Sequence, residues 1–279
     1  MADSSVFDEI GPWSEVKLDI IRDYAQAYSR ILTKKEIFYH IYIDAFAGAG
    51  INRSRTTGKF IPGSPLNALW VKPPFREYHF IDLDNAKVDA LEQIAGERQK
   101  VYIYHGDCNE ILLRQVFPRV PWEEYRRALC VLDPYGLHLN WTIIETAGEM
   151  RSIEIFLNFP IMDMNRNVLH RALEKVNPEQ LQRMNAFWGD ESWRECIYMS
   201  QEDLFGETHN HKVQCANKIV AEAFRQRLQS VAGFEYVPEP VGMRNSKGAT
   251  LYYLFFAAQQ PVAANIVMDI FNKYRREGT

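Results

Sequence analysis

Cysteine is scarce and unpaired: the chain has four in 279 residues, Cys108, Cys130, Cys196 and Cys215. None stands in a CxxC or zinc-ligand spacing, which argues against a disulfide framework or a structural metal and leaves no metal expected. Reduced thiols of a cytoplasmic protein are expected instead. Basic charge is not in excess, with 32 Lys and Arg against 36 Asp and Glu and a net charge of −4. No global field therefore draws nucleic acid, and any such contact needs a local patch. Long apolar runs are missing too. The stretch 251–258 falls far short of the roughly 20 residues that span a bilayer. No basic region followed by an apolar run opens the chain, so a soluble protein without membrane contact is expected. The GxxxxGK[ST] loop of nucleotide triphosphatases is absent. So are repeats, low-complexity tracts and interdomain linkers, and residues 1–279 are expected to form one domain.

What is present is a chain with 47% hydrophobic and 13% aromatic residues, enough for a sizeable core. Residues 13–32 predict an amphipathic helix, with Val16, Ile20, Tyr24, Ala27 and Ile31 recurring every three or four positions. It forms most of a leading helical segment, 1–38. Five short apolar runs follow, at 39–45, 77–81, 101–104, 128–132 and 153–159. Between the second and third, Val88, Leu91 and Ile94 mark one face of a helix that Asp84 can cap. Apolar strands alternating with helices predict a parallel sheet covered on both faces. Residues 163–211, rich in Arg, Trp and Asn, read as a helical and loop insertion. A helix over 212–231 then leads to strands at 234–241 and 250–258 joined by a polar turn, and Pro261 starts a last helix. Five βα units closed by an antiparallel hairpin form the element order of a Rossmann-like, class I methyltransferase fold with a seven-stranded, mostly parallel sheet.

In such sheets ligands bind at the carboxyl ends of the strands, near the switch in strand order. Polar signals stand there after three successive runs. Asp44-Ala-Phe46-Ala-Gly48-Ala-Gly50 follows the first, and its glycines let a ligand approach the backbone. Asp82 follows the second and can accept both ribose hydroxyls, although Asp82 and Asp84 also suit a helix start. Gly106-Asp107-Cys108-Asn109 follows the third, where Asp107 can accept from an adenine amino group or cap a helix. Each signal alone is a turn; together they point to an adenosyl ligand. A dinucleotide would need a third glycine, and the residue three after Gly50 is Arg53. That favours S-adenosyl-L-methionine over a nicotinamide cofactor. Cys108 reads as a small filler beside it.

Asp133-Pro134-Tyr135-Gly136 follows the fourth run. The acid and the proline carbonyl offer two acceptors to one exocyclic amino group, and Tyr135 can stack on its base; an Asp-Pro turn is the bland alternative. Asn158 and Arg166 follow the fifth run as candidate substrate contacts, and Arg53, Arg55 and Lys59 form a basic loop suited to a nucleic-acid backbone. Trp122, Trp188 and Trp193 can stack bases or fill the core. His209-Asn-His211 lacks the surroundings of a nuclease site.

With these residues together, the chain resembles the three-Cys-motif partner family over nearly its whole length. The matching pieces are Trp13 with Lys17 and Tyr24, the Asp44 to Gly50 turn, Gly63-Ser-Pro65, Ile81-Asp82, Gly106 to Asn109, Leu132 to Gly136 and Asn158-Phe-Pro160 with Arg166. Arg244-Asn245 and Lys247-Gly248 before Leu251-Tyr252 complete them. The resemblance implies association with a partner that carries three cysteines and is similar to radical S-adenosylmethionine enzymes. More distantly the chain resembles amino-group methyltransferases of DNA and RNA bases. It shares their FxGxG after the first strand but departs from (D/N)PP(Y/F/W) by lacking one proline. Lys17 then matches a cofactor-side helix placed before the first strand. Two functions follow as expectations: methyl transfer to an exocyclic amino nitrogen of a nucleobase, or a non-catalytic methyltransferase-fold partner.

Overall fold

The computed structural model describes residues 6–170, 173, 176–202, 208–212, 216–245 and 248–276. Cys215 and Lys247 lie outside them. Side chains are not described at 198–202 and 208–212, so the His209 and His211 pattern is placed by backbone alone.

A short strand β1 (Glu9–Ile10) precedes helix α1 (Pro12–Lys34), whose proline sits in the first turn where its missing N–H costs nothing. Strand β2 (Tyr39–Asp44) ends in the glycine turn. The predicted basic loop after it is instead a hairpin, β3 (Ile51–Ser54) and β4 (Phe60–Pro62), with β1 added in parallel to β3. Then come α2 (Ser64–Leu69), β5 (Glu77–Asp82), α3 (Asn85–Ala95), β6 (Val101–His105), α4 (Cys108–Ile111), β7 (Arg126–Leu132), α5 (Trp141–Met150) and β8 (Ile153–Phe159). The region expected as an insertion holds α6 (Ile161–Asn167), α7 (Pro178–Trp188), α8 (Trp193–Ile197) and the hairpin β9 (Tyr198–Glu202) and β10 (Thr208–Lys212). Helix α9 (Ala216–Ser230), β11 (Val241–Arg244), β12 (Thr250–Ala257) and α10 (Pro261–Arg276) close the chain.

The main sheet has seven strands in the order β11-β12-β8-β7-β2-β5-β6. Its pairs from β8 to β6 are parallel, and β12 runs antiparallel to both β8 and β11. That is the expected class I methyltransferase arrangement, a Rossmann-like sheet with a reversed strand inserted near one edge. Alternate residues of each central strand serve opposite faces. Ile41, Ile43, Cys130 and Leu157 pack with α5 and α9 through Ile144, Phe224 and Leu228. Tyr42, Phe80, Leu129 and Phe156 pack with α1 and α10 through Ile20, Tyr24, Val267 and Phe271. Trp188 and Trp193 are fully buried core residues and not base-stacking platforms. No helix among the described residues is long and apolar enough to cross a membrane.

The late strand is displaced from its expected position. Residues 234–241 contribute one isolated bridge, Tyr236 to Ala258, and β11 begins only at Val241. Pro238 and Pro240 explain it, because neither can donate to a sheet ladder.

Candidate functional site

Strand β2 pairs with β5 on one side and β7 on the other, so the chain reverses direction of growth there and opens a crevice at the carboxyl ends. Two cavities occupy it, about 590 and 750 Å³, and both are lined by Phe46 and Tyr135.

The larger one holds the adenosyl candidates. Asp82 Oδ2 accepts from the Gly48 N–H at 2.8 Å and Oδ1 from the Asp84 N–H at 2.9 Å. Asp84, not Asp82, caps α3, accepting from the Ala86 N–H at 2.9 Å. The helix-start alternative therefore belongs to Asp84, and Asp82 is held facing the cavity by two backbone donors while keeping lone pairs for hydroxyls. Asp107 does cap α4, but only through Oδ1, which accepts from Asn109 N and Nδ2 at 2.9 Å each. Asn109 Oδ1 accepts from the Asn140 N–H at 2.8 Å, tying this turn to the loop after β7. Cys108 lines the same wall; burial pushes its thiol up to about 12, which keeps it a neutral filler. Arg183 and Ala186 of α7 also line this cavity, so the inserted region helps build it.

The glycine turn is tightly constrained. Gly50 has φ +78°, and a Cβ there would sit 2.9 Å from Leu91 Cδ1 of α3. The chain leaves this turn into β3, and no helix starts before Ser64. Helix α2, whose N-cap Gly63 donates to Gly50 O at 2.8 Å, reaches the turn only after the intervening hairpin, whereas a dinucleotide turn opens its helix directly. Asp44, fully buried beneath the turn, accepts from the Phe46 N–H at 3.3 Å, while its Oδ2 meets no hydrogen-bond partner. Burial pushes its carboxyl up to about 7, against the pull of Ser64 and the Phe46 N–H.

In the smaller cavity Asp133 is held on both oxygens, with one partner each. Its Oδ2 pairs with Lys17 Nζ, and its Oδ1 accepts from Asn158 Nδ2 at 2.7 Å. Lys17 is a buried lysine on α1; burial works against its charge, but Asp133 outweighs that and raises its pKa. Its ammonium also lies 5.3 Å from the Tyr252 ring centroid. Asn158 Oδ1 is buried without a partner. Tyr135 is 61% exposed, and its hydroxyl joins Lys87 Nζ at 3.1 Å and Asp8 Oδ2 at 3.0 Å. Lys87 also donates to both Asp8 oxygens, at 2.9 and 2.7 Å. The segment before α1 thus crosses the crevice between its two cavities. Asp8 and Lys87 carried no sequence signal, since one sits outside every periodic element and one on a polar helix face; Tyr252 entered only through the family resemblance.

The candidate substrate residues separate. Asn158 and Arg55 line the smaller cavity, whereas Arg53 pairs with Glu9 at 3.6 Å and Arg166 is exposed on α6 away from both cavities. Asp8, Glu9 and Asp163 also line it, so its wall is not the basic surface that Arg53, Arg55 and Lys59 led us to expect.

No protein-family model matches this sequence, and no curated protein matches it either. Among solved structures, the chain is similar to protein LPL1258 of Legionella pneumophila, with 13% identity, 94% of each chain covered and a TM-score of 0.49. It is also similar to the N-methyltransferase NodS of Bradyrhizobium japonicum in complex with S-adenosyl-L-homocysteine. There the identity is 10%, with 90% of this chain and 89% of that chain covered and a TM-score of 0.40. The fold assignment rests on the strand order and not on these similarities.

Proposed function

We propose that the chain is an S-adenosyl-L-methionine-dependent methyltransferase acting on an exocyclic amino nitrogen of a nucleobase in DNA or RNA. The observation that carries the proposal is Asp133, a carboxylate held by Lys17 and Asn158 in a cavity that also contains the glycine turn.

The residues present fit the cofactor. The unpartnered Asp44 Oδ2 beneath the turn is the acceptor we assign to the cofactor ammonium, and Gly48, which lines the smaller cavity without a Cβ, leaves the backbone open to a ligand. Asp82 would take the ribose hydroxyls, Asp107 Oδ2 and Asn109 the adenine edge, and Phe46 the wall between the two cavities. When bound, the cofactor supplies an electrophilic methyl group. Asp133 and the Pro134 carbonyl accept the two N–H bonds of the amino group and turn its lone pair toward the Gly48 side of the cavity. Lys17 holds Asp133 in place, and Tyr135 stacks on the base. Methyl transfer should be measured with tritiated cofactor on mixed nucleic acid. Asp133→Ala should abolish incorporation, and activity persisting in that variant would remove Asp133 from the mechanism.

A second reading is favoured by the same engagement of Asp133 on both oxygens. In it the chain is a non-catalytic methyltransferase-fold partner of a radical S-adenosylmethionine-like protein with three cysteines, as the family resemblance implies. Co-purification with such a protein, together with no methyl transfer to any nucleic acid, would select it.

A further inference from the structure

The opposite end of the sheet carries a third cavity, about 300 Å³, between α1, α10 and the first residues of β7 and β8. At roughly 30 Å³ per water-sized position, that space suits a molecule of about ten heavy atoms. Its walls are aromatic and aliphatic: Tyr24, Tyr28, Ile31, Phe38 and Ile266. Ligand pockets combine such walls with a few placed polar groups, and three stand here.

Glu154 is the first. Buried carboxylates are normally paired with a cation or held by several hydrogen bonds. Glu77 meets Arg126 at 2.9 Å, Arg119 at 3.1 Å and His79 at 2.8 Å, and Asp133 meets Lys17. Glu154 receives only the Tyr24 hydroxyl at 2.6 Å, and among the described residues no cation pairs with it. Burial accordingly pushes its carboxyl up to about 7. Asp82 accepts from two backbone N–H groups, and Asp44, which accepts from the Phe46 N–H, lies where the cofactor ammonium is proposed. Tyr28 is the second group: it is 6% exposed, lines the cavity, and its hydroxyl has no partner. Arg127 is the third. Leu129 pairs in register with Glu154, so Arg127, two residues earlier, shares its sheet face. Its guanidinium stacks on Trp122 at 3.5 Å and spends only Nη1 on the backbone carbonyls of Trp122 and Arg126. Lys35 and Arg151 add positive charge at the wall.

An unpaired acid within, bases around it and an apolar lining are complementary to a zwitterion with an apolar body. We propose that this cavity binds a small apolar amino acid, its ammonium on Glu154, its carboxylate toward Tyr28 and Arg127, and its side chain among the aromatic walls. The site is separate from the cofactor crevice, and its occupancy does not depend on the methyltransferase proposal.

Calorimetry on the full chain, with S-adenosyl-L-homocysteine present in excess, tests it with L-phenylalanine as probe. Phenethylamine and 3-phenylpropionate, each lacking one charge, should bind about tenfold or more weakly, as expected for losing a charged hydrogen bond. Glu154→Gln keeps the volume and the Tyr24 partner, and it should lower L-phenylalanine affinity by at least about tenfold. Tyr28→Phe should lower it several-fold, and both variants should keep their homocysteine affinity. Absence of L-phenylalanine binding overturns the proposal. So does affinity equal to wild type in Glu154→Gln, equal binding of either single-charge analogue, or displacement by the homocysteine ligand.

Discussion

Asp44 holds its charge at a cost, and that cost sets a sign. Its folded-state pKa, about 7, lies above the ordinary value of 3.8. The folded chain therefore keeps a proton that the unfolded chain has released, and stability falls as pH rises through that interval and levels above it. Asp44→Asn removes the penalty. By urea denaturation the variant should match wild type near pH 4 and exceed it at pH 8, by up to about 4 kcal/mol, the equivalent of that pKa interval. The same substitution should weaken S-adenosyl-L-homocysteine binding, since the ammonium loses its carboxylate; a stable variant with unchanged affinity would clear Asp44 of a cofactor role. Asp82→Ala should lower that affinity by roughly tenfold or more, because it removes the ribose acceptor and frees the Gly48 N–H. These acids were legible in the sequence because each ends a strand, where the fold itself gathers polar groups. Glu154 was not, because an acid at the start of an apolar run looks like a solvated strand end.

At the scale of elements, helices and central strands were legible from apolar spacing, and the misses share a cause. Strands β3 and β4 are short, and they exist through pairing with each other and with β1, which is distant in sequence. No local period encodes such pairing. The two prolines before β11 were visible, but the apolar residues around them outweighed the lost ladder bonds in the sequence reading. Helix α5 shows how closely elements seat: a Cβ at Gly148 would lie 1.8 Å from the Ala232 carbonyl oxygen, in the turn after α9. Gln259 Nε2 bridges the same two backbones, donating to Gly148 O at 3.1 Å and Gly233 O at 2.9 Å. Because the obstacle is backbone, it cannot rotate away. Gly148→Ala should destabilise by about 3 kcal/mol, read as a lower urea midpoint with an unchanged slope.

Across the whole molecule, the parallel strands aim their carboxyl ends at the crevice, and the element order made that architecture legible before any coordinate. Contacts that cross the crevice, Asp8 to Lys87 and Tyr135, and Lys17 to Asp133, were not legible, because they join segments far apart in sequence. Their geometry makes cofactor binding a property of the assembled fold. A ligand that touches β2, β5 and β6 ends together should bind the folded chain and not the unfolded one. At a hundredfold excess over its dissociation constant, S-adenosyl-L-homocysteine should then add about 2.7 kcal/mol of stability. For a chain of this length that raises Tm by roughly 5–10 °C in a thermal melt. NAD at the same concentration should leave Tm unchanged, since the glycine turn leads into a strand and not directly into a helix as a dinucleotide turn does. A shift with NAD and none with the homocysteine ligand would reverse the cofactor assignment. Loss of the homocysteine shift in Asp82→Ala, but not in Glu154→Gln, would place the responsible site at the carboxyl end of the sheet.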